Sequence, residues 1–302
     1  MRPARSPMRA RFGLRTRMPP ENIRTEPTRT FWPLVLIDII PRMLVGGTLA
    51  GLAAGRASRR RQLTMGGEYA AFAVGTAAVV GGVGWGASLA AFFYSSVTLG
   101  HWRAGDKRHR SREVLPDTLA RDSWQVLANG GLFAVAAVGW AFTGSWQVGL
   151  FGFGALATAT ADTWATEVGM ALKSAPRSIL TWQRVVPGTS GGVSAFGSAA
   201  SVIGAFAIAL CAVVSFTVPF DVPRLEAVFV GGLVGAIADS LLGASVQSRR
   251  WCEACAAWTE RRVHTCGFRS HHRSGLRWVN NDVVNLIATA AGGFTAVLAW
   301  RP

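Results

Sequence analysis

Two acidic motifs sit inside apolar stretches of this chain. Asp162 and Glu167 lie in ADTWATEVG (161–169), and Asp239 lies in ADSLLGAS (238–245). A carboxylate within a lipid-embedded helix is costly, so such a residue marks function before it marks packing. Lys173 and Arg177 then lead into VPGTSGGVS (186–194), where Gly188, Thr189, Ser190, Gly191, Gly192 and Ser194 open the next apolar run. A glycine-rich turn at a helix N-terminus offers backbone amides to an anion, and neighbouring cations strengthen the site. No Lys-Ser or Lys-Thr follows the glycines, so the loop is not a Walker A sequence. Two acids from two helices can hold Mg²⁺ while water and substrate phosphates complete its shell. Together these groups point to phosphate chemistry at a membrane surface.

The pairs Asp162-Thr163 and Asp239-Ser240 share an Ala-Asp-hydroxyl pattern, which suggests an internal repeat. The plain alternative is a helix–helix hydrogen bond from each hydroxyl. Five residues separate Asp162 from Glu167, about 140° around a helix, so the two do not share a face. Glu167 is expected either as a ligand or as a partner of Lys173 at the helix end. Asn129, Asn281, Asp282 and Asn285 stand where spans begin. Asn281 and Asn285 share a face and suit phosphate, ribose or base edges, whereas an ordinary N-cap accounts for one of the four. Cys252, Cys255, His264 and Cys266 have zinc-ligand types and spacing. Free thiols or a disulfide are the competing readings.

The elements that must position these residues follow from composition. Half of the 302 residues are hydrophobic and only 16% are charged, against about a quarter in soluble domains. There are 35 glycines for close helix contacts and 12 tryptophans for interface anchoring. The fold class is therefore all-α, a polytopic helical membrane protein with about seven to eight hydrophobic segments. The net charge of +15 is carried by arginines between the apolar runs, the pattern of loops on one side of a membrane rather than of a nucleic-acid-binding face. The segments are 31–54, 69–100 as two short crossings, 125–144, 146–171, 188–216, 225–246 and 281–300. Residues 1–30 read as a basic disordered tail or presequence without a signal-peptide core. Residues 31–302 form one helical membrane domain with a Cys/His-containing polar loop at 247–279.

Pairing the spans as hairpins puts the basic stretches 56–67, 101–122, 172–187 and 247–279 on one side. That face is expected to be cytoplasmic, or its organellar equivalent in a eukaryote. The candidate residues then fall in one half of the bundle. If 31–54 crosses fully, the basic tail lies on the opposite side; a re-entrant first segment would remove that conflict.

The motifs QVLANGG (125–131), ADTWATEVG, PRSILT (176–181), VPGTSGGVS, ADSLLGAS, the CxxC…HxC loop and NNDVVN (280–285) resemble, in order, those of the transmembrane protein 19 family. That family includes the plant chloroplast phytyl-phosphate kinase. The resemblance implies a membrane kinase that converts an isoprenoid monophosphate, phytyl or geranylgeranyl, to the diphosphate with Mg²⁺ and a nucleoside triphosphate, CTP or another. It carries over Asn129, Asp162, Glu167, Arg177, the 188–194 loop, Asp239, Asn281 and Asp282. Asp162 and Asp239 would be the metal ligands, and Lys173, Arg177 and the loop would cradle phosphates. Met65 stands where a proline is expected, so residues 63–67 depart from the pattern. The alternative is a transporter or flippase of a phosphorylated lipid or small anion. A transporter needs polar residues through both halves of the bundle, and the outer halves are nearly bare.

Overall fold

The computed structural model of the protein describes residues 31–111, 120–215 and 222–301. The expected basic tail, 1–30, lies outside them. Nine helices occur among the described residues: α1 (Phe31–Arg59), α2 (Met65–Val80), α3 (Val83–His101), α4 (Ala104–Ser111), α5 (Ser123–Thr143), α6 (Trp146–Ala171), α7 (Ala195–Ser215), α8 (Val222–Ser245) and α9 (Asn281–Ala299). All but the short, polar α4 form the apolar bundle. Five of the eight are long and apolar enough to cross a membrane: Ile37–Arg59 of α1, then α5, α7, α8 and α9. At 16 residues, α2 spans only about 24 Å, short of a hydrocarbon core near 30 Å. α3 and α6 have the length but not the apolarity of the five.

Polar caps fix one end of the bundle. Thr64 Oγ1 accepts from Gly67 N at 3.1 Å to start α2, and Asp122 Oδ1 accepts from Gln125 N at 3.0 Å to start α5. Ser194 Oγ accepts from Gly197 N at 3.2 Å at the head of α7, and Asn280 Oδ1 from Val283 N at 3.0 Å at that of α9. Each cap satisfies an orphan helix amide. The antiparallel helices α3, α6 and α8 end at this same end. The opposite end has short connections at Gly81-Gly82 and at Gly144, a left-handed C-cap. Residues 69–100 are thus divided between two helices, as expected. The first segment is one continuous helix despite Pro41, with Asp38 and Arg42 paired at 2.6 Å on its surface.

α6 is the axis of the bundle. It packs against α3, α4, α5, α7, α8 and α9, and its middle, Gly152–Ala161, is buried throughout. Glycines let α8 and α9 approach it. A Cβ on Gly231 would meet Gly292 O at 2.5 Å, and one on Gly154 would meet Ala296 Cβ at 2.7 Å. Thr158 Oγ1 donates to Gly154 O at 2.9 Å and reaches Gly231 O at 3.4 Å across that seam. Aromatic side chains fill the other end. Trp85 is fully buried with ring centroids 4.9 Å from Phe133 and 4.7 Å from Phe153, while Trp140 and Trp146 meet at 5.3 Å.

Two polar segments expected as loops contain small sheets. β1 (Arg177–Ser178) pairs with β2 (Gly192–Val193), and β3 (Arg249–Cys252), β4 (Ala257–Thr259) and β5 (His271–Ser274) form an antiparallel sheet in the order β4-β3-β5. The second makes a cap over the end of the bundle where the polar helix starts lie. It is tied down by Ser248 N to Val279 O at 2.8 Å and Leu276 N to Val246 O at 2.9 Å.

Candidate functional site

Beneath the cap lies a cleft of about 1070 Å³. Asp162 and Asp239 reach its wall from the parallel helices α6 and α8, close enough for their charges to act on each other. Both are half-buried, and no lysine or arginine among the described residues comes within salt-bridge distance of either. On α9, with its amide turned to satisfy both partners, Asn285 donates to Asp239 Oδ2 at 2.8 Å and to Asn281 O at 3.3 Å. The glycine seam described above is what lets these three helices bring the groups together. Asn129 lines the cleft from α5 and donates to Gln125 O at 2.8 Å. Asn281 and Asp282 line it from the first turn of α9, but the cap of that helix is Asn280, whose amide also donates to Asp282 Oδ2 at 3.2 Å.

The 188–194 loop lines the opposite wall, and every one of Gly188, Thr189, Ser190, Gly191, Gly192 and Ser194 borders the cleft. Gly191 has φ +76° and its backbone presses on Ala244, so no side chain fits there. Arg249 Nη2 donates to Ser190 O at 3.1 Å and Gly243 O at 3.4 Å, and Ser190 Oγ donates to Glu260 Oε1 at 2.5 Å. Burial pushes the Glu260 carboxyl above its ordinary value, against the pull of Ser190 and Arg249.

The cations of the cleft are not the expected ones. Lys173 and Arg177 do not line it. Lys173 turns out of the C-terminus of α6 with φ +54° and is exposed. Arg177 is held in β1, with its guanidinium donating to Trp182 O at 2.7 Å. Glu167 pairs instead with Lys107 of α4, Nζ to Oε2 at 2.5 Å, and Lys107 also donates to Leu99 O at 2.7 Å. Arg110 donates to Met170 O at 2.6 Å, so α4 clamps the carbonyl ends of α3 and α6. Arg108, Arg121, Arg250, Arg261, Arg262 and Arg277 supply positive charge to the cleft wall. Burial lowers the Arg121 guanidinium below its ordinary value, and Glu167 opposes that shift. Arginine counts revealed the basic side of the protein, but not which arginines converge.

The cleft also opens sideways. Val202 of α7 and Leu233 and Ile237 of α8 line it, and Val202 and Ile237 are exposed on the outer face of the bundle as well. In the cap, Cys252, Cys255, His264 and Cys266 bring one ligand atom each within 4.8 Å of all the others.

Comparison with known proteins agrees with the motif resemblance. The model of the family described as "Integral membrane protein DUF92" matches residues 48–293. The uncharacterised membrane protein MJ0933 of Methanocaldococcus jannaschii is 32% identical over 216 residues, 70% of this chain and 74% of that one. Two Arabidopsis thaliana proteins are each 26% identical. Protein PGR aligns over 85% of this chain and 96% of its own length, and protein VTE6, chloroplastic, over 52% and 42%. No solved structure matches.

Proposed function

Because the chain belongs to the DUF92 family of integral membrane proteins, we propose that its cleft is the active site of a kinase for an isoprenoid monophosphate. One observation carries the reading. Asp162 and Asp239 without basic partners among the described residues, the amides of Asn129, Asn281 and Asn285, a glycine-rich loop and six arginines from separate parts of the chain meet in one cleft, at one end of the bundle. Membership supports it, since the family that the motifs resemble includes the plant phytyl-phosphate kinase, and the similarity to protein VTE6 agrees.

Phosphoryl transfer between two anions needs alignment and neutralisation more than covalent catalysis. The arginines and the amides of the 188–194 loop hold the donor triphosphate and the acceptor monophosphate. An oxygen of the acceptor phosphate attacks the γ-phosphorus, the bond from that phosphorus to the β–γ bridging oxygen breaks, and the nucleoside diphosphate leaves. The acceptor oxygen is already anionic, so no strong base is required, and no histidine lines the cleft among the described residues. Asp162 and Asp239 fit a hard cation, because two half-buried carboxylates facing one cleft without basic partners among the described residues need compensating charge. Mg²⁺ held there would neutralise charge on the transferring phosphates. Asn285 fixes the rotamer of Asp239 through its amide bond. The isoprenoid tail enters between α7 and α8, past Val202 and Ile237. The basic end faces the cytoplasm, or its organellar equivalent.

A transporter of the same anion remains the second reading. The aromatic packing of Trp85, Phe133 and Phe153 across the far end of the bundle weighs against it. The test uses purified protein in detergent with Mg²⁺, phytyl or geranylgeranyl monophosphate, and CTP, UTP, ATP or GTP in turn. The isoprenoid diphosphate should form, and Asp162→Asn and Asp239→Asn proteins that remain folded should lose it. Absence of product with every donor, together with uptake of the monophosphate into proteoliposomes, would replace the kinase by the transporter.

A further inference from the structure

The cap has almost no apolar interior. Its buried residues are Cys252, Thr259, His264 and Ser270, and a segment this small needs more than burial to hold a fold. What it gathers instead is a set of ligand atoms. Cys252 closes β3, Cys255 lies in the turn to β4, and His264 and Cys266 lie in the turn toward β5. Cys252 Sγ is 3.6 Å from Cys266 Sγ, and His264 Nδ1 is 3.2 Å from Cys266 Sγ. Around a tetrahedral Zn²⁺ with Zn–S near 2.3 Å, the sulfur–sulfur edges are roughly 3.8 Å. These two separations are close to the edges of such a shell, and all four ligand atoms lie within 4.8 Å of one another. Gly267, at φ +86°, turns the second ligand hairpin, which the Val263–Arg269 bridge closes.

We propose that Cys252, Cys255, His264 and Cys266 bind one structural Zn²⁺, and that this ion holds the cap against the 188–194 loop. A complete Cys₃His shell leaves no open position for substrate, so the ion's role is structural. The link to the loop is short. Arg249, in the strand that ends at Cys252, donates to Ser190 O and Gly243 O, and Glu260, just past β4, accepts from Ser190 Oγ. Arg250, between Arg249 and the first ligands, donates from Nε to Ser270 Oγ at 2.8 Å, which ties β3 to the ligand-bearing segment. Loss of the ion would let β3 and the His264–Cys266 turn separate, and the loop would lose both anchors. The inference rests on the cap alone and stands whether or not the cleft transfers phosphate.

The experiment uses the full chain purified in detergent without added metal. Mass-spectrometric metal analysis should give one zinc per chain, and exchange with Co²⁺ should give thiolate-to-cobalt charge-transfer bands. Cys266→Ser should lose the metal, while His264→Cys, which offers a fourth thiolate, should keep it. Hydrogen exchange should then rise roughly tenfold or more in both 249–274 and 188–194 upon zinc loss, with the middle of α6 unchanged. If Cys266→Ser does not accumulate, chelation of the unaltered protein gives the same reading. Thiols that are all free or disulfide-linked with no stoichiometric zinc would overturn the metal site. Zinc whose removal leaves exchange in 188–194 unmoved would overturn the coupling.

Discussion

Replacing Lys107 tests how the polar end of the bundle is held together. Its side chain is 6% exposed and that of Glu167 20%, with Nζ and Oε2 2.5 Å apart. Removing one partner of a buried ion pair costs about 3–5 kcal/mol, because the other charge stays behind without compensation. Glu167 keeps some solvent and the field of Arg121, so Lys107→Met should fall at the lower end, about 3 kcal/mol. Glu167→Leu leaves Lys107 with Leu99 O as its remaining side-chain partner among the described residues and should cost about the same. The double variant removes both charges and should cost no more than either single change, which makes the coupling energy about 3 kcal/mol. Unfolding by sodium dodecyl sulfate in dodecyl maltoside micelles, followed by tryptophan fluorescence, measures all four corners of the cycle. A double variant as unstable as the two singles added together would show that the side chains do not act on each other, and that α4 is not docked by this pair.

Other perturbations separate the cleft from its surroundings. Gly191→Ala combines a left-handed backbone, about 1–2 kcal/mol, with a methyl forced onto Ala244. It should abolish binding of inorganic pyrophosphate, a probe for the donor's phosphates, whereas Gly105→Ala, in α4 with nothing within 4 Å of the added methyl, should leave binding intact. Arg262→Gln and Arg277→Gln should each weaken pyrophosphate binding about tenfold, near 1.4 kcal/mol for a charge-assisted contact. Lys173→Ala and Arg177→Ala should leave it unchanged; isothermal titration in detergent reads all four. Glu260 holds its proton more tightly folded than unfolded, so stability falls as pH rises above the unfolded value near 4.5. Glu260→Gln should therefore gain in melting temperature relative to the unaltered protein from pH 4.5 to pH 8. A constant difference across that range would contradict the burial of this carboxyl.

The acids and the glycine loop were legible in the sequence because each is a local signal. Asp162 and Asp239 stand out against apolar neighbours, and Gly188–Ser194 needs no distant partner to be recognised as a turn. The helices were legible for the same reason, including the division of 69–100 into two, which falls at Gly81-Gly82. Which cations serve the cleft was not. Lys173 and Arg177 are adjacent to the loop in sequence, but a left-handed residue after α6 and the β1–β2 pairing turn them away. Lys107, Arg250 and Arg277 arrive from other segments through tertiary packing, which charge patterning does not encode. α4 stayed hidden because AGDKRHRS reads as a solvated loop, although it is held by Glu167, Met170 and Leu99. The cap sheet was missed because its strands are only three or four residues long, and β3 and β5 carry arginine and histidine where alternation would place apolar residues.

The most direct measurement follows the γ-phosphate. Purified protein in detergent receives γ-labelled nucleoside triphosphate, Mg²⁺ and geranylgeranyl monophosphate, and the lipid extract is resolved by chromatography. A kinase places the label on the terminal phosphate of the isoprenoid diphosphate, in amounts equal to the nucleoside diphosphate formed. Label that stays in the triphosphate, or leaves only as inorganic phosphate or pyrophosphate while the isoprenoid is unchanged, would contradict phosphoryl transfer in this cleft.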